Sequence, residues 1–97
     1  MGRYGGRVQT RDQAYHNGTA WPWLIAPLGC ALRTLENSKR AAEIQNQFQE
    51  PLRHGCLGQI CEVADGDLPQ NAGGCVAQAW SVAAMLDQGI GETSLPR

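Results

Sequence analysis

Three stretches of this sequence place side chains suited to sugar chemistry close together. The first runs from Arg11 to Trp23 and holds Tyr15, His16, Asn17, Trp21 and Trp23. Indole faces pack against the apolar C–H face of a pyranose, and small polar heads such as His and Asn bond its hydroxyls. The same two tryptophans also suit a second role, as bulky core anchors where a helix starts. The second stretch, Gly55 to Asp67, carries Glu62 between Cys61 and Val63. If Ile60 and Glu62 share one face by strand alternation, the carboxylate lies beside an apolar neighbour. Partial desolvation would then raise its pKa and its basicity. Otherwise Glu62 is a solvated edge carboxylate or a capping partner. The third stretch, Gly73 to Ser81, carries Gln78 and Trp80. Two residues apart on a helix, they cannot share a face, so one points into a site and the other into the core. Gly73 and Gly74 ahead of them allow close packing of the loop.

Other chemistries find less support. Asp65 and Asp67 flank Gly66 and read as turn residues, because a calcium loop needs more ligands and a distant Glu in register. The four cysteines are Cys30, Cys56, Cys61 and Cys75. Their spacing lacks the close pairs of structural zinc, so no metal is expected. Cys56 beside His54 has no third orienting group, which argues against a cysteine nucleophile. G-x-S-x-G, phosphate-binding glycine loops and H-E-x-x-H are all missing from the sequence, and no cofactor is expected. No hydrophobic leader follows Arg3, so the thiols are expected to be reduced, buried and inert in a cytoplasmic protein.

The elements that must position these residues are mainly helical. Residues 1–14 have no apolar period and read as a loop or frayed end. The run Trp21 to Leu35 reads as a helix with Thr19 as N-cap and Pro22 in its first turn. Its apolar face is Leu24, Leu28, Ala31, Leu32 and Leu35, and Pro27 either kinks it or marks a later start. Asn37-Ser38 caps a second helix whose stripe is Ala41, Ile44, Phe48 and Leu52. Pro51 disturbs its last turn, and Gly55 and Gly58 end it. Gln59 to Val63 reads as a short extended stretch. A third helix is expected from about Cys75, with Val76, Ala79, Trp80, Ala83 and Leu86 on one face and Gly89 ending it.

Size and charge set the outer bounds. The chain has 97 residues, which allows one small domain. Its hydrophobic fraction of 42% is that of a globular chain. A net charge of −1 with no basic stripe argues against nucleic acid, and no apolar run is long enough for a membrane span.

Taken together, the three stretches resemble one family. Arg11-Asp12, Tyr15-His16-Asn17-Gly18-Thr19, Trp21-Pro22-Trp23, then Gly58, Ile60, Glu62 and Asp65-Gly66-Asp67, then Gln78-Ala79-Trp80-Ser81 stand in its order and approximate spacing. That family is the C-terminal glucosidase domain of glycogen debranching enzymes, the amylo-α-1,6-glucosidases, related to glucoamylase-like toroids. The resemblance covers about residues 8–88. It implies an all-α fold, with residues 1–97 forming the last part of a six-hairpin α/α toroid, a fragment of about three helices with structured loops.

By the same resemblance Glu62 is the general base of an inverting glycosidase. Tyr15, His16, Asn17, Trp21 and Trp23 line the sugar site, and Gln78 and Trp80 belong to the segment closing the ring beside the base. The family's acid is an Asp in an upstream Trp-Met-Asp segment, which these residues lack. The implied partners are glycogen, limit dextrin or malto-oligosaccharide, and the remaining hairpins of the toroid. Helix faces made for those hairpins would be exposed here and would favour self-association. Such a piece alone is expected to be inactive. A non-catalytic carbohydrate-binding or interaction module is the alternative. Ala20, Cys61 and Ala64 depart from the family's usual Val, small polar and aromatic residues, which bears on substrate affinity.

Overall fold

The computed structural model describes residues 2–53 and 58–88. His54, Gly55, Cys56 and Gly89 lie outside the described residues. The described chain is mostly helical, with a small sheet. In order it runs α1 (Val8–Tyr15), β1 (Thr19–Ala20), a 3-10 turn (Pro22–Leu24), α2 (Ile25–Thr34), α3 (Ser38–Gln47), a second 3-10 turn (Pro51–Arg53), β2 (Val63–Asp65), β3 (Ala72–Gly73) and α4 (Ala79–Asp87). The three strands are antiparallel in the order β1-β2-β3, with Thr19 opposite Asp65 and Val63 opposite Gly73.

Helix α1 corrects the expectation of a loop over residues 1–14. It has no apolar stripe to betray it, since Ala14 is its only buried residue. Among the described residues there are therefore four α-helices where about three were expected. Thr19 is likewise not a helix cap. It lies in β1, and the chain reaches α2 through the 3-10 turn that Pro22 opens. Pro27 is the third residue of α2 and so marks a later start. Its missing N–H falls in the first turn, where no intrahelical bond is lost.

The second helix agrees with the sequence at its start but ends earlier, at Gln47, so Leu52 falls in the 3-10 turn that Pro51 opens. The Asn37 side chain accepts the Arg40 N–H at 3.3 Å and caps α3. Ala41 is buried, and Ile44, Phe48 and Leu52 are half-buried against the core. That core centres on Ile25, Ile60, Ala84 and Met85. The Ile and Met side chains of this core contribute about 1.5–3 kcal/mol each when fully buried.

Helices α2 and α4 turn other faces inward than expected. On α2, Ile25 and Gly29 are buried, whereas Leu24, Leu28 and Leu35 are exposed. Helix α4 starts at Ala79, buries Ser81, Ala84 and Met85, and exposes Trp80 and Leu86, while Val76, ahead of the helix, is exposed too. Both helices are apolar nearly all round, so periodicity picks out a stripe without saying which stripe is covered.

Gln88 ties the helices together. Its side-chain oxygen accepts from Arg33 Nη1 of α2 at 2.6 Å, its carbonyl accepts from Gln45 Nε2 of α3, and its amide donates to Asp87 at 2.9 Å. A side chain at Gly29 would collide with the Gln88 amide and displace it from these bonds.

Asp65 is a buried strand residue rather than a turn residue, at 5% exposure. Its carboxylate accepts from the Tyr4 N–H at 2.7 Å and from Asn71 Nδ2 at 3.2 Å. It anchors the N-terminal strand of chain and the β2–β3 hairpin at once. Asp65→Ala should therefore cost about 2–3 kcal/mol, the range for bonds to a charged acceptor, read as a lower denaturant midpoint.

Candidate functional site

The C-terminal end of α1 presents Tyr15 to the sheet. Local bonds hold it there. The Tyr15 carbonyl accepts from Thr19 Oγ1 at 2.6 Å and from Trp21 Nε1 at 3.0 Å. Gly18, at φ 125°, lets the chain reverse between α1 and β1. The turn brings Trp21 edge-on to Tyr15, with ring centroids 4.7 Å apart, and stacks it on His16 at 5.3 Å with an interplanar angle of 3°. Tyr4 closes the other side of Tyr15 at 5.6 Å.

Glu62 lies one residue before β2, the central strand of the sheet. The ladder pairs Val63 with Gly73, yet the Glu62 N–H bonds the Cys75 carbonyl at 2.8 Å. One extra residue is thus inserted at Gly74, whose φ is +68°. This is a β-bulge built on a left-handed glycine, a device that re-aims a side chain. Here it leaves the Cys75 N–H free to bond Glu62 Oε2, at 3.0 Å. The Tyr15 hydroxyl donates to Oε1. Both carboxylate oxygens are therefore held, by donors far apart in sequence.

These bonds set the charge on the site. The Tyr15 hydroxyl first, and the Cys75 N–H second, hold the Glu62 carboxyl below its ordinary value, against a smaller opposing effect of partial burial. This corrects the expectation of a carboxylate raised by desolvation. Ile60 is 2% exposed in the core, but β2 begins only at Val63, so strand alternation does not govern Glu62. The Tyr15 phenol is pushed up to about 12 by donating to Glu62.

Of the residues singled out in the sequence, Tyr15, His16, Trp21 and Glu62 come together here. Asn17 is exposed and its side chain donates to the Gln13 carbonyl at 3.2 Å, finishing α1. Trp23 stacks on Trp80 at 4.3 Å and 11°, forming a second aromatic pair. Trp80 is exposed and Gln78 half-buried, so neither sits in the core. Gln78 precedes α4, and its N–H bonds the Ile60 carbonyl at 2.9 Å, which ties the start of α4 to the Glu62 segment.

The cysteines are not the buried thiols expected. Cys30 and Cys75 are exposed and Cys61 is half-buried, all three unpaired. Burial pushes the Cys61 thiol up, which keeps it protonated. Sequence reasoning missed the part that Tyr4 and Cys75 play in the site, and read Gly74 only as allowing close packing. Only the Gly73-Gly74 pair carried a signal. Gly73 does pack closely, because a Cβ there would lie 2.9 Å from the Tyr4 ring, whereas Gly74 serves by its left-handed backbone.

With the carboxylate, its two donors and the aromatic stack in place, the comparison with known families decides the identity. The sequence pattern of the family described as Amylo-alpha-1,6-glucosidase matches residues 1–87. The chain belongs to that family. It is thereby a glycosidase-family chain, and the Glu62 cluster lies within the matched residues. No curated protein and no solved structure matches the chain. Among the described residues, no helix is long and apolar enough to cross a membrane.

Proposed function

We propose that these residues supply the water-activating side of an inverting α-1,6-glucosidase site, acting on glucosyl stubs of glycogen or limit dextrin. The observation that carries this reading is the Glu62 carboxylate, fixed by Tyr15 and Cys75 beside the His16–Trp21 stack. A carboxyl held below its ordinary value is ionised at neutral pH and able to accept a proton. Glu62 would take that proton from a water as the water attacks the anomeric carbon. The second carboxyl group, which protonates the leaving oxygen, is expected roughly 6.5–9.5 Å away, leaving room for the water. By resemblance to the family it would be an Asp of a Trp-Met-Asp segment.

Tyr15 acts as a positioning residue on this reading, and its removal has a signature in pH. A base must be ionised, so activity falls as pH drops through its pKa. Tyr15→Phe removes the larger of the two influences holding Glu62 down, so the acid limb of the kcat/KM profile should move to higher pH. The stability sign follows from linkage. A depressed Glu62 adds stability above the unfolded carboxyl value, and that is lost as pH falls through the folded value. The raised phenol adds stability that is present below the ordinary tyrosine value and lost as pH rises through about 12. Tyr15→Phe should weaken both dependences. An unmoved acid limb would separate Tyr15 from the base.

The overall reading is tested by glucose release. A debranching protein containing these residues should liberate free glucose from limit dextrin. Binding of malto-oligosaccharide, seen as a tryptophan fluorescence change, with no glucose released would instead indicate a carbohydrate-binding module.

A further inference from the structure

Residues 2–4 belong to no helix or strand, yet two bonds hold them against the end of β2. The Gly2 carbonyl accepts the Asp67 N–H at 3.1 Å, and the Tyr4 N–H donates to Asp65 Oδ1 at 2.7 Å. Burying a carboxylate is unfavourable unless its oxygens are bonded. Asp65 meets that condition through Tyr4 on one oxygen and Asn71 Nδ2 on the other, and its own N–H donates to the Asn71 carbonyl at 2.9 Å. The fit leaves no room for side chains. A Cβ at Gly2 would collide with the Asp67 carboxylate, and one at Gly66 with the Gly18 carbonyl. Asp65 is thus a buried latch for a short strap of chain.

The strap delivers one side chain to the Glu62 cluster. The Tyr4 ring lies between the Tyr15 ring, 5.6 Å away and tilted by 40°, and Gly73, where a Cβ would stand 2.9 Å from Tyr4 Cδ1. Tyr15 is half-buried, with its backbone carbonyl pinned by Thr19 and Trp21. Those bonds leave its own side-chain torsions free, and a phenol has alternative staggered rotamers. What selects among them is packing: Trp21 edge-on at 4.7 Å, and Tyr4 on the other side. The hydroxyl bond to Glu62 competes with water, so it persists only while the ring is confined. We propose that Tyr4 is a positioning residue, latched by Asp65, whose ring confines Tyr15 to the rotamer that bonds Glu62. The inference rests on the reading of Glu62 as the base only for its consequence in rate. The bond itself exists whatever Glu62 does.

The test is a carbon-13 NMR titration of the Glu62 side-chain carboxyl in the 97-residue chain, which needs no catalysis. Tyr15 is faced by Tyr4, His16 and Glu62, and Glu62 by Tyr15 with Cys61 and Cys75 alongside, so each group is followed at its own resonance. Tyr4→Ala keeps the N–H that bonds Asp65 and removes the ring. It should shift the Glu62 titration upward, in the same direction as Tyr15→Phe and by no more. Tyr4→Phe keeps the ring and should titrate as wild type. Gly73→Ala presses a methyl group on the Tyr4 ring and should shift Glu62 upward too. Combined with Tyr4→Ala it should add nothing, because both act through one contact. A Tyr4→Ala variant that melts earlier while Glu62 titrates as in wild type would make Tyr4 a packing residue and overturn the proposal. Tyr4→Phe shifting as far as Tyr4→Ala, or additive shifts in the double variant, would overturn it as well. If Tyr4→Ala does not fold, Gly73→Ala alone decides: an upward shift supports the proposal and an unmoved Glu62 overturns it. Loss of the base assignment is read separately, from glucose release by a debranching protein carrying Glu62→Gln.

Discussion

Glu62→Gln should lower kcat for release of glucose from limit dextrin by about 10²–10⁴-fold, with KM little changed. The amide is nearly isosteric: its one oxygen can keep the Cys75 N–H while its Nε2 donates to the Tyr15 hydroxyl oxygen. What it loses is the capacity to take a proton. Substrate contacts made by the aromatic loop are untouched, so the loss falls on the chemical step. The fold should survive, because the half-exposed carboxylate is not a core group. An unchanged melting profile beside a collapsed kcat is the combined result to look for. A variant within tenfold of wild type would remove Glu62 from the chemistry.

The second large effect is expected at Gly74, which touches no substrate. Its φ of +68° lies where an L-residue carries a penalty of about 1–2 kcal/mol. A Cβ at this position would also press on the Glu62 carboxylate, whose Oε2 is the first atom it meets. Gly74→Ala should therefore both destabilise and disarm. Either the bulge flattens and the Cys75 N–H no longer reaches Oε2, or the carboxylate swings away from Tyr15. A displacement of about 1 Å in a catalytic group costs on the order of 10²-fold in rate. Circular dichroism at a temperature below the lowered midpoint separates the two effects, since activity should be lost while the chain is still folded. A folded Gly74→Ala variant with full kcat would mean that the bulge does not position Glu62.

What the sequence disclosed, and what it concealed, follows from how far each signal reaches. Helix α3 was readable because both its signals are local: the Asn37 cap lies three residues from its partner, and a polar face opposes its apolar stripe. Helix α1 was hidden because it is almost wholly exposed and has no pattern to find. For α2 and α4 the period was correct but the covered face was not, because a helix apolar on most sides offers more than one stripe. Leu28 and Trp80 were assigned to a packed face and are exposed, while Gly29 and Ser81 face inward.

The site was half visible for the same reason. Tyr15, His16 and Trp21 sit within seven residues, and their types suggested a sugar surface. The bond that matters most, Tyr15 to Glu62, spans 47 residues. Nothing local announces it, and without it the shift of the Glu62 carboxyl was read in the wrong direction. The apolar neighbours of Glu62 suggested a partly desolvated carboxylate of raised basicity. The folded chain supplies two donors instead, and those donors outweigh burial. The resemblance to a known family did what local reasoning could not, because it joins all three stretches at once.

The account rests on Glu62 being the base and not the acid, and one substrate separates the two. α-Glucosyl fluoride has a leaving group that needs no protonation, so loss of a general acid is largely masked with it, whereas loss of the base is not. The measurement is the hydrolysis rate of α-glucosyl fluoride by a Glu62→Gln debranching protein relative to its wild type. The account predicts a variant slow on the fluoride by about the same 10²–10⁴-fold as on limit dextrin. Recovery of near wild-type rate on the fluoride would contradict it and assign Glu62 to the proton donor.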